Sequence, residues 1–294
     1  MEKPLFSILI PTWNNLDFLK LCVDSIKKNS TYEHQILIHI NEGKDGTLDW
    51  VKQEGLEYTY SQNNIGVCLA LNGLRTLVKT DYILYMNDDM YACPEWDKYL
   101  WEEIKSLSDN KFFISSTLIQ PNQCFNSVIA ADYGTSPDEF DEERLLMEYK
   151  FLPYYDWFGA TSPPNVVHKS LWDLVGGYSI EFSPGMYSDP DFSAKLKMAG
   201  VKYFKGISAS RVYHFEARST SRIKKNNGNA QFVLKWGITS SSFMRNVLKR
   251  GEKFDKYKVN EYHDTRLKKD LMRSRLKVFL IFKSGYIVNK IWNK

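Results

Sequence analysis

The chain has 294 residues, 43% hydrophobic and 25% charged, which is ordinary for a globular protein and enough to bury one large or two small cores. No run approaches the roughly 18–20 apolar residues of a membrane span, and the N-terminus enters a short apolar segment with Pro11 rather than a leader, so a cytoplasmic protein is expected. The net charge of +4 hides an asymmetry: residues 245–294 carry 15 Lys and Arg against 5 Asp and Glu, which leaves the body mildly acidic.

Taken in chain order, the first half alternates strand and helix signals. Phe6 to Ile10 is a nearly continuous apolar run, as in a strand covered on both faces, and Pro11-Thr12-Trp13-Asn14-Asn15 is expected to break it. Leu16, Leu19, Val23 and Ile26 then recur at helical spacing. Ile36 to Ile40 predicts a second strand, followed by the polar turn Asn41 to Gly46 and a short helix from Thr47. Leu56 to Tyr60 is a third strand, with its turn at Asn63-Asn64-Ile65-Gly66 and a helix from Cys68 to Val78. A fourth strand, Tyr82 to Met86, ends in Asn87-Asp88-Asp89. Such alternation predicts an α/β fold with a mainly parallel sheet.

From Lys111 to Phe158 the rhythm is lost: Phe112 to Ile119 reads as a strand, and Asp138 to Tyr149 as either a helix or a mobile loop. Asn165 to His168 predicts a strand, Lys169 to Val175 a helix stopped by Gly176-Gly177, and Phe192 to Met198 a helix stopped at Gly200. Two further strands are expected at 201–204 and 210–214, and a basic, helical tail after about Asn226. The four cysteines (Cys22, Cys68, Cys93, Cys124) show no metal-ligand spacing and read as free thiols of a reducing compartment.

Ligands of open α/β sheets bind beyond the carboxyl ends of the strands. Thr12 and Asn14, Asn41 and Glu42, Asn64 and Gly66, and Asp88 and Asp89 stand at those four ends. Turn chemistry explains the first three pairs as readily as ligand binding does. Two adjacent carboxylates at the end of an apolar strand are costly unless a cation or donor groups compensate. A divalent ion bridging a carboxylate to a diphosphate would do so, and Mg²⁺ and Mn²⁺ prefer such oxygen ligands. Farther on, Asp191 is placed to cap or start a helix, and Asp189 to face a pocket as a general base. His214 closes an apolar strand.

These pieces, in this order, resemble family 2 inverting glycosyltransferases of the GT-A fold. The resemblance rests on Pro11-Thr12-Trp13-Asn14, Asn41-Glu42-Gly43 with Asp45-Gly46-Thr47, Asn64-Ile65-Gly66 with Ala70 to Gly73, and Asp81 through Asp89. It continues through Val175-Gly176-Gly177-Tyr178, Asp189-Pro190-Asp191 and His214, and covers roughly residues 4 to 222. It implies a Rossmann-like nucleotide-binding sheet with an acceptor-side extension. It further implies Asp89 and His214 as ligands of Mn²⁺ or Mg²⁺, Asp88 on the donor's ribose or sugar, and Pro11, Thr12, Asn14, Glu42, Asn64, Gly66 and Asn72 along the nucleotide-sugar site. Asp189 is implied as the base, with Asp191 as the alternative, and Arg218 and Arg222 would close over the diphosphate. Three positions depart from the family pattern: Asn87 replaces the first acid of the metal motif, Asn41-Glu42 stands for paired aspartates, and Ser188 and Pro190 flank Asp189.

The resemblance implies one domain in two halves, 1–110 for the nucleotide sugar and 111–225 for the acceptor and base, with a helical extension at 226–294. Tyr155 and Trp157 read either as an acceptor-side aromatic wall or as core. The tail from Arg273 to Trp292 reads as a helix on an anionic membrane surface, a helix packed on the body, or an oligomer contact. A nucleotidyltransferase and a non-catalytic nucleotide-sugar or glycan-binding protein remain as alternatives. The acceptor is expected to be a glycan, a lipid-linked sugar or a protein, in polysaccharide or glycan synthesis. Nucleic acid is not expected, because the tail has charge without a recognition motif.

Overall fold

A computed structural model describes residues 3–123, 126–216 and 226–292, the last nine as backbone only. Ten strands form a single sheet: β1 (Phe6–Trp13), β2 (Gln35–Asn41), β3 (Glu57–Ser61), β4 (Tyr82–Tyr85), β5 (Met90–Ala92), β6 (Phe112–Gln120), β7 (Val128–Ala130), β8 (Trp157–Phe158), β9 (Asn165–His168) and β10 (Tyr203–His214). The main order is β3-β2-β1-β4-β9-β6-β10-β5, with β7 on β6 and β8 on β10. Neighbours within β3-β2-β1-β4 are parallel, and β9 runs antiparallel between β4 and β6. One sheet thus draws strands from both predicted halves.

The two-residue period of β1 divides the core. Phe6, Ile8 and Ile10 face one layer, against Leu19, Cys22, Val23 and Ile26 of helix α1 (Leu16–Asn29). Leu9 and Leu37 face the other, against Cys68, Leu71 and Leu74 of α3 (Gly66–Leu74). On the α1 layer α2 (Thr47–Gln53) packs Val51 beside β2, and Asp45 accepts from the Leu16 backbone N–H at 2.8 Å and the Thr47 hydroxyl at 2.6 Å. A third cluster joins Tyr91, Ile119, Tyr133, Leu145, Tyr213 and Phe215.

Several expectations are corrected. Pro11 does not end β1, which continues to Trp13 in register with β2. The Leu9 carbonyl accepts from Met86 N–H, so Leu9 and Pro11 both face β4, and β4 ends at Tyr85 before Pro11 needs an N–H. The two strands expected at 201–204 and 210–214 are one, β10, whose pairing with β6 shifts between Ile207 and Arg211. After α4 (Trp96–Ser106), the stretch 138–149 holds a 3₁₀ turn and helix α5 (Glu142–Glu148), capped where Asp141 accepts from Arg144 N–H at 3.0 Å. Helix α6 (Lys169–Val175) follows β9, and α7 (Ser188–Met198) begins four residues earlier than its apolar spacing indicates.

The C-terminal segment carries α8 (Gly228–Trp236), a short α9 (Ser240–Ser242) and the long α10 (Asp264–Trp292). No helix among the described residues is long and apolar enough to cross a membrane. Cys22, Cys68 and Cys93 are buried free thiols, and Cys124 lies outside the described residues.

Candidate active site

The turn after β4 passes Asn87-Asp88-Asp89 and enters β5, which pairs antiparallel with β10 so that Met90 stands opposite His214. This register sets Asp89 beside His214, with Oδ2 and Nε2 3.3 Å apart, and the Asp89 carbonyl accepts from Phe215 N–H at 3.1 Å. Gln120, at the end of β6, meets His214 Nδ1 at 3.3 Å and thereby orients the ring. On the β1 side, Thr12 Oγ1 donates to Asp88 Oδ2 at 2.7 Å. Burial, then the neighbouring Asp89 charge, pushes the Asp88 carboxyl up to about 7. Burial would lower the His214 imidazole, but the Asp89 carboxylate beside it leaves it raised on balance.

The facing wall comes from the loop between α6 and α7. Asn72 of α3 clamps Tyr178 twice: Tyr178 N–H donates to Asn72 Oδ1 at 2.8 Å, and Asn72 Nδ2 donates to the Tyr178 carbonyl at 2.7 Å. The ring of Tyr178 stacks on Phe192 with centroids 4.6 Å apart, and its hydroxyl donates to Asp189 Oδ1 at 3.2 Å. Burial raises the Asp189 carboxyl to about 6, against the lowering pull of the Tyr178 hydroxyl and the Arg250 guanidinium. The loop is seated on α3: Val67 N–H donates to the Pro184 carbonyl at 2.8 Å. Gly66 lies directly beneath at φ +77, where a Cβ would stand 2.6 Å from Pro184 Cα.

Between these walls is a cleft of about 390 Å³. Asp88, Asp89, Asp189 and Glu216 line it together with His214, and its described lining contains no Lys or Arg. Among the described residues no group of three or more His, Cys, Asp or Glu is gathered tightly enough to hold a metal by itself. Asp89 and His214 nevertheless fit a shared ion. Two ligands each about 2.1 Å from one cation, at near right angles, stand about 3 Å apart, and these two are 3.3 Å apart. Such a pair leaves the other coordination positions to a ligand's oxygens.

Of the residues singled out in the sequence, the structure brings Pro11, Thr12, Asn64, Gly66, Asp88, Asp89, Asp189 and His214 to this cleft. Others stand elsewhere. Glu42 is bound to Lys44 at 2.9 Å and to Asn14 Nδ2 at 3.3 Å, outside the lining. Asn72 shapes the wall through Tyr178 rather than lining it. Asp191 turns away from the cleft: fully buried, its Oδ1 accepts from Trp236 Nε1 at 2.8 Å and pairs with Lys235 at 2.9 Å, tying α7 to α8. Trp157 is core rather than wall. Its ring covers Gly206, where a Cβ would stand 1.8 Å from it, and its Nε1 donates to Thr117 at 2.9 Å. Tyr155 stacks on Tyr154 and donates to the Gly251 carbonyl at 3.2 Å, away from the carboxylates. Arg218 and Arg222 lie outside the described residues.

Sequence reasoning missed Asn41, Tyr85, Met186 and Glu216 in the lining, Tyr178 behind Asp189, and Arg250. Asn41 was visible as the strand-end residue beside Glu42. Its amide joins three strand ends, donating to the Thr12 carbonyl at 3.2 Å and accepting from Ile65 N–H at 2.9 Å. Arg250 carried no signal, because its approach to the Asp189 wall depends on the C-terminal segment folding back. The Ser127 and Ser162 hydroxyls hold its guanidinium, each at 3.0 Å.

Comparison with known proteins agrees with this geometry. Residues 7–118 match the family model described as glycosyl transferase family 2. A hyaluronan synthase of Pasteurella multocida is 24% identical over 233 residues, covering 76% of this chain and 22% of that protein. A chondroitin synthase of Pasteurella multocida (strain Pm70) has the same identity and coverage, so the chain spans under a quarter of the length of these relatives. Among solved structures, S. aureus TarS 1–349 in complex with UDP-GlcNAc superposes with a TM-score of 0.56 at 14% identity, covering 79% of this chain and 65% of that one. The mannosyltransferase PcManGT from Pyrobaculum calidifontis, in complex with GDP-Man and Mn²⁺, gives a TM-score of 0.52 at 14% identity over 81% and 62% of the two chains. These structural likenesses are likenesses of fold. Strand order and cleft agree with the glycosyl transferase family 2 match over residues 7–118, and the chain shares the GT-A fold of these solved glycosyltransferases.

Proposed function

We propose that the protein transfers a sugar from a nucleoside diphosphate to an acceptor hydroxyl, with inversion at the anomeric carbon and with a divalent metal. The observation that carries this reading is the charge of the cleft. Asp88 and Asp89 on one wall face Asp189 on the other, with no Lys or Arg in the described lining. A diphosphate beside these carboxylates needs compensating positive charge, which a divalent cation supplies, and a carboxylate left over on the far wall is free to take a proton. Similarity to a hyaluronan synthase and a chondroitin synthase supports a glycan product, and the structural neighbours were solved with UDP-GlcNAc or with GDP-Man and Mn²⁺.

The Asp189 carboxylate is the general base. Held by the Tyr178 hydroxyl, it removes the acceptor hydroxyl's proton while that oxygen bonds to the anomeric carbon and the carbon–phosphate oxygen bond breaks. A single displacement from the opposite face inverts the centre, and the nucleoside diphosphate leaves. A carboxyl at about 6 is ionised at neutral pH yet more basic than an exposed aspartate, which suits proton removal. Asp88, fixed by Thr12, orients the donor through its sugar or ribose hydroxyls. Asp89 and His214 would hold Mn²⁺ or Mg²⁺, which when bound supplies charge neutralisation for the departing diphosphate. Pro11, Thr12, Asn41, Asn64 and Gly66 form the nucleotide side of the cleft, and the acceptor approaches past Tyr178 and Asp189.

The test is a panel of nucleotide sugars, with and without Mn²⁺, read by thermal stabilisation and by product analysis. At least one donor is expected to raise Tm in the presence of Mn²⁺ and to release nucleoside diphosphate when an acceptor is supplied. Release of pyrophosphate would identify a nucleotidyltransferase instead. Binding without turnover against a broad glycan acceptor panel would identify a binding protein, and full transfer in chelator would remove the metal.

A further inference from the structure

The helix α10 has two apolar faces, and among the described residues the body covers only one. Leu267, Asp270, Leu271 and Ser274, at spacings of three and four, form the packed face: Leu267 and Leu271 meet the core, Ser274 is fully buried, and Asp270 accepts from Ser242 at 2.8 Å and Asn246 at 2.9 Å. Met272, Leu276 and Phe279 repeat the same spacing on the opposite side with Leu280 beside them, Phe282 follows three turns past Leu271, and all five are more than half exposed. A lone exposed leucine needs no explanation, but five large apolar side chains within 11 positions of one helix do.

The charges say what covers this face. Residues 271–294 contain six Lys and Arg and no Asp or Glu, and Arg273, Arg275, Lys277 and Lys283 are interleaved with the exposed apolar residues. A second copy of the helix, laid against this face, would set like charges against like. An anionic bilayer accepts both features at once, because acyl chains take the apolar side chains while headgroups meet the cations, whose long stems reach outward. We propose that α10 lies in the plane of an anionic membrane surface, seated through Met272, Leu276, Phe279 and Leu280. No described helix is long and apolar enough to cross a membrane. The packed face stays on the protein, so the body is held at the surface. This inference stands independently of the transferase reading.

Flotation of the full chain with vesicles tests it. Phosphatidylglycerol-rich vesicles are expected to carry the protein at least about tenfold better than phosphatidylcholine vesicles, with binding that weakens as salt rises. The double variant Leu276→Glu/Phe279→Glu alters only exposed side chains; it should melt like the wild type and lose flotation. Absence of flotation with either vesicle at low salt overturns the proposal. So does a concentration-dependent dimer that the double variant dissolves without any vesicle binding, because the face would then be an interface between copies. A variant that floats as well as the wild type also overturns it.

Discussion

Replacing Asp189 by Asn separates catalysis from stability. The Asp189 carboxyl stands at about 6 in the folded chain, against 3.8 for the ordinary side chain, because burial penalises its charge. A raised carboxyl means that the folded state holds its proton more tightly than the unfolded one, so this group destabilises the fold as pH rises. The cost is absent below about pH 4, grows between about pH 4 and 6, and is fully present above. A shift of about two units corresponds to at most about 3 kcal/mol. The substituted amide carries no charge, keeps the shape and still accepts from the Tyr178 hydroxyl. The variant is therefore expected to melt several degrees higher than the wild type at pH 7.5, at about 2–4 °C per kcal/mol for a chain of this size. The gain should vanish toward pH 4. Transfer, followed as nucleoside diphosphate released, should fall about 10²–10⁴-fold, while donor-dependent stabilisation persists. Scanning calorimetry at three pH values beside a coupled activity assay checks both arms. Undiminished transfer would refute Asp189 as base, and a lower Tm at pH 7.5 would refute the burial argument.

Three further outcomes follow from the same geometry. Tyr178→Phe removes a donor that favours the Asp189 carboxylate, so the acidic limb of the kcat/KM profile should move up by roughly half to one unit; an unmoved limb would show the contact to be incidental. Gly66→Ala places a Cβ against Pro184 at a left-handed φ, and is expected to cost about 1–3 kcal/mol and to weaken donor binding, read by thermal melts with and without nucleotide. Trp157→Ala should cost about 3–5 kcal/mol in denaturant unfolding, because it empties a core site, and leave the acceptor KM of the remaining folded enzyme unchanged; a selective acceptor defect would return Trp157 to the acceptor wall.

The parallel half of the sheet was legible because its physics is local. Phe6 to Ile10 and Ile36 to Ile40 are apolar on both faces, α1 repeats at helical spacing, and polar residues collect at the strand ends, where a turn and a ligand ask for the same residue types. The resemblance placed Asp89, Asp189 and His214 in one cleft on the strength of their order, and the structure gathers all three there. What failed were readings that depend on a partner. Pro11 breaks a strand only where a neighbour needs its N–H, and β4 has already ended. A helix start suits Asp191, which favours Asp189 as base, but the two are chemically alike and two positions apart, so their partners lie beyond the local sequence. Lys235 and Trp236, more than forty residues on, draw Asp191 inward and leave Asp189 at the cleft. Trp157 and Tyr155 look alike for the same reason until Gly206 makes room for the indole.

By itself the amino-acid sequence determined the alternating elements, the family resemblance, and a basic tail on an acidic body, since each follows from neighbours along the chain or from composition. The tertiary structure alone decided which carboxylates share a space, that Tyr178 and Arg250 bear on Asp189, and which face of α10 is left uncovered. Burial and electrostatic strength fall off with distance in space, and residues such as Asp189 and Arg250 influence one another only after the chain has folded back on itself.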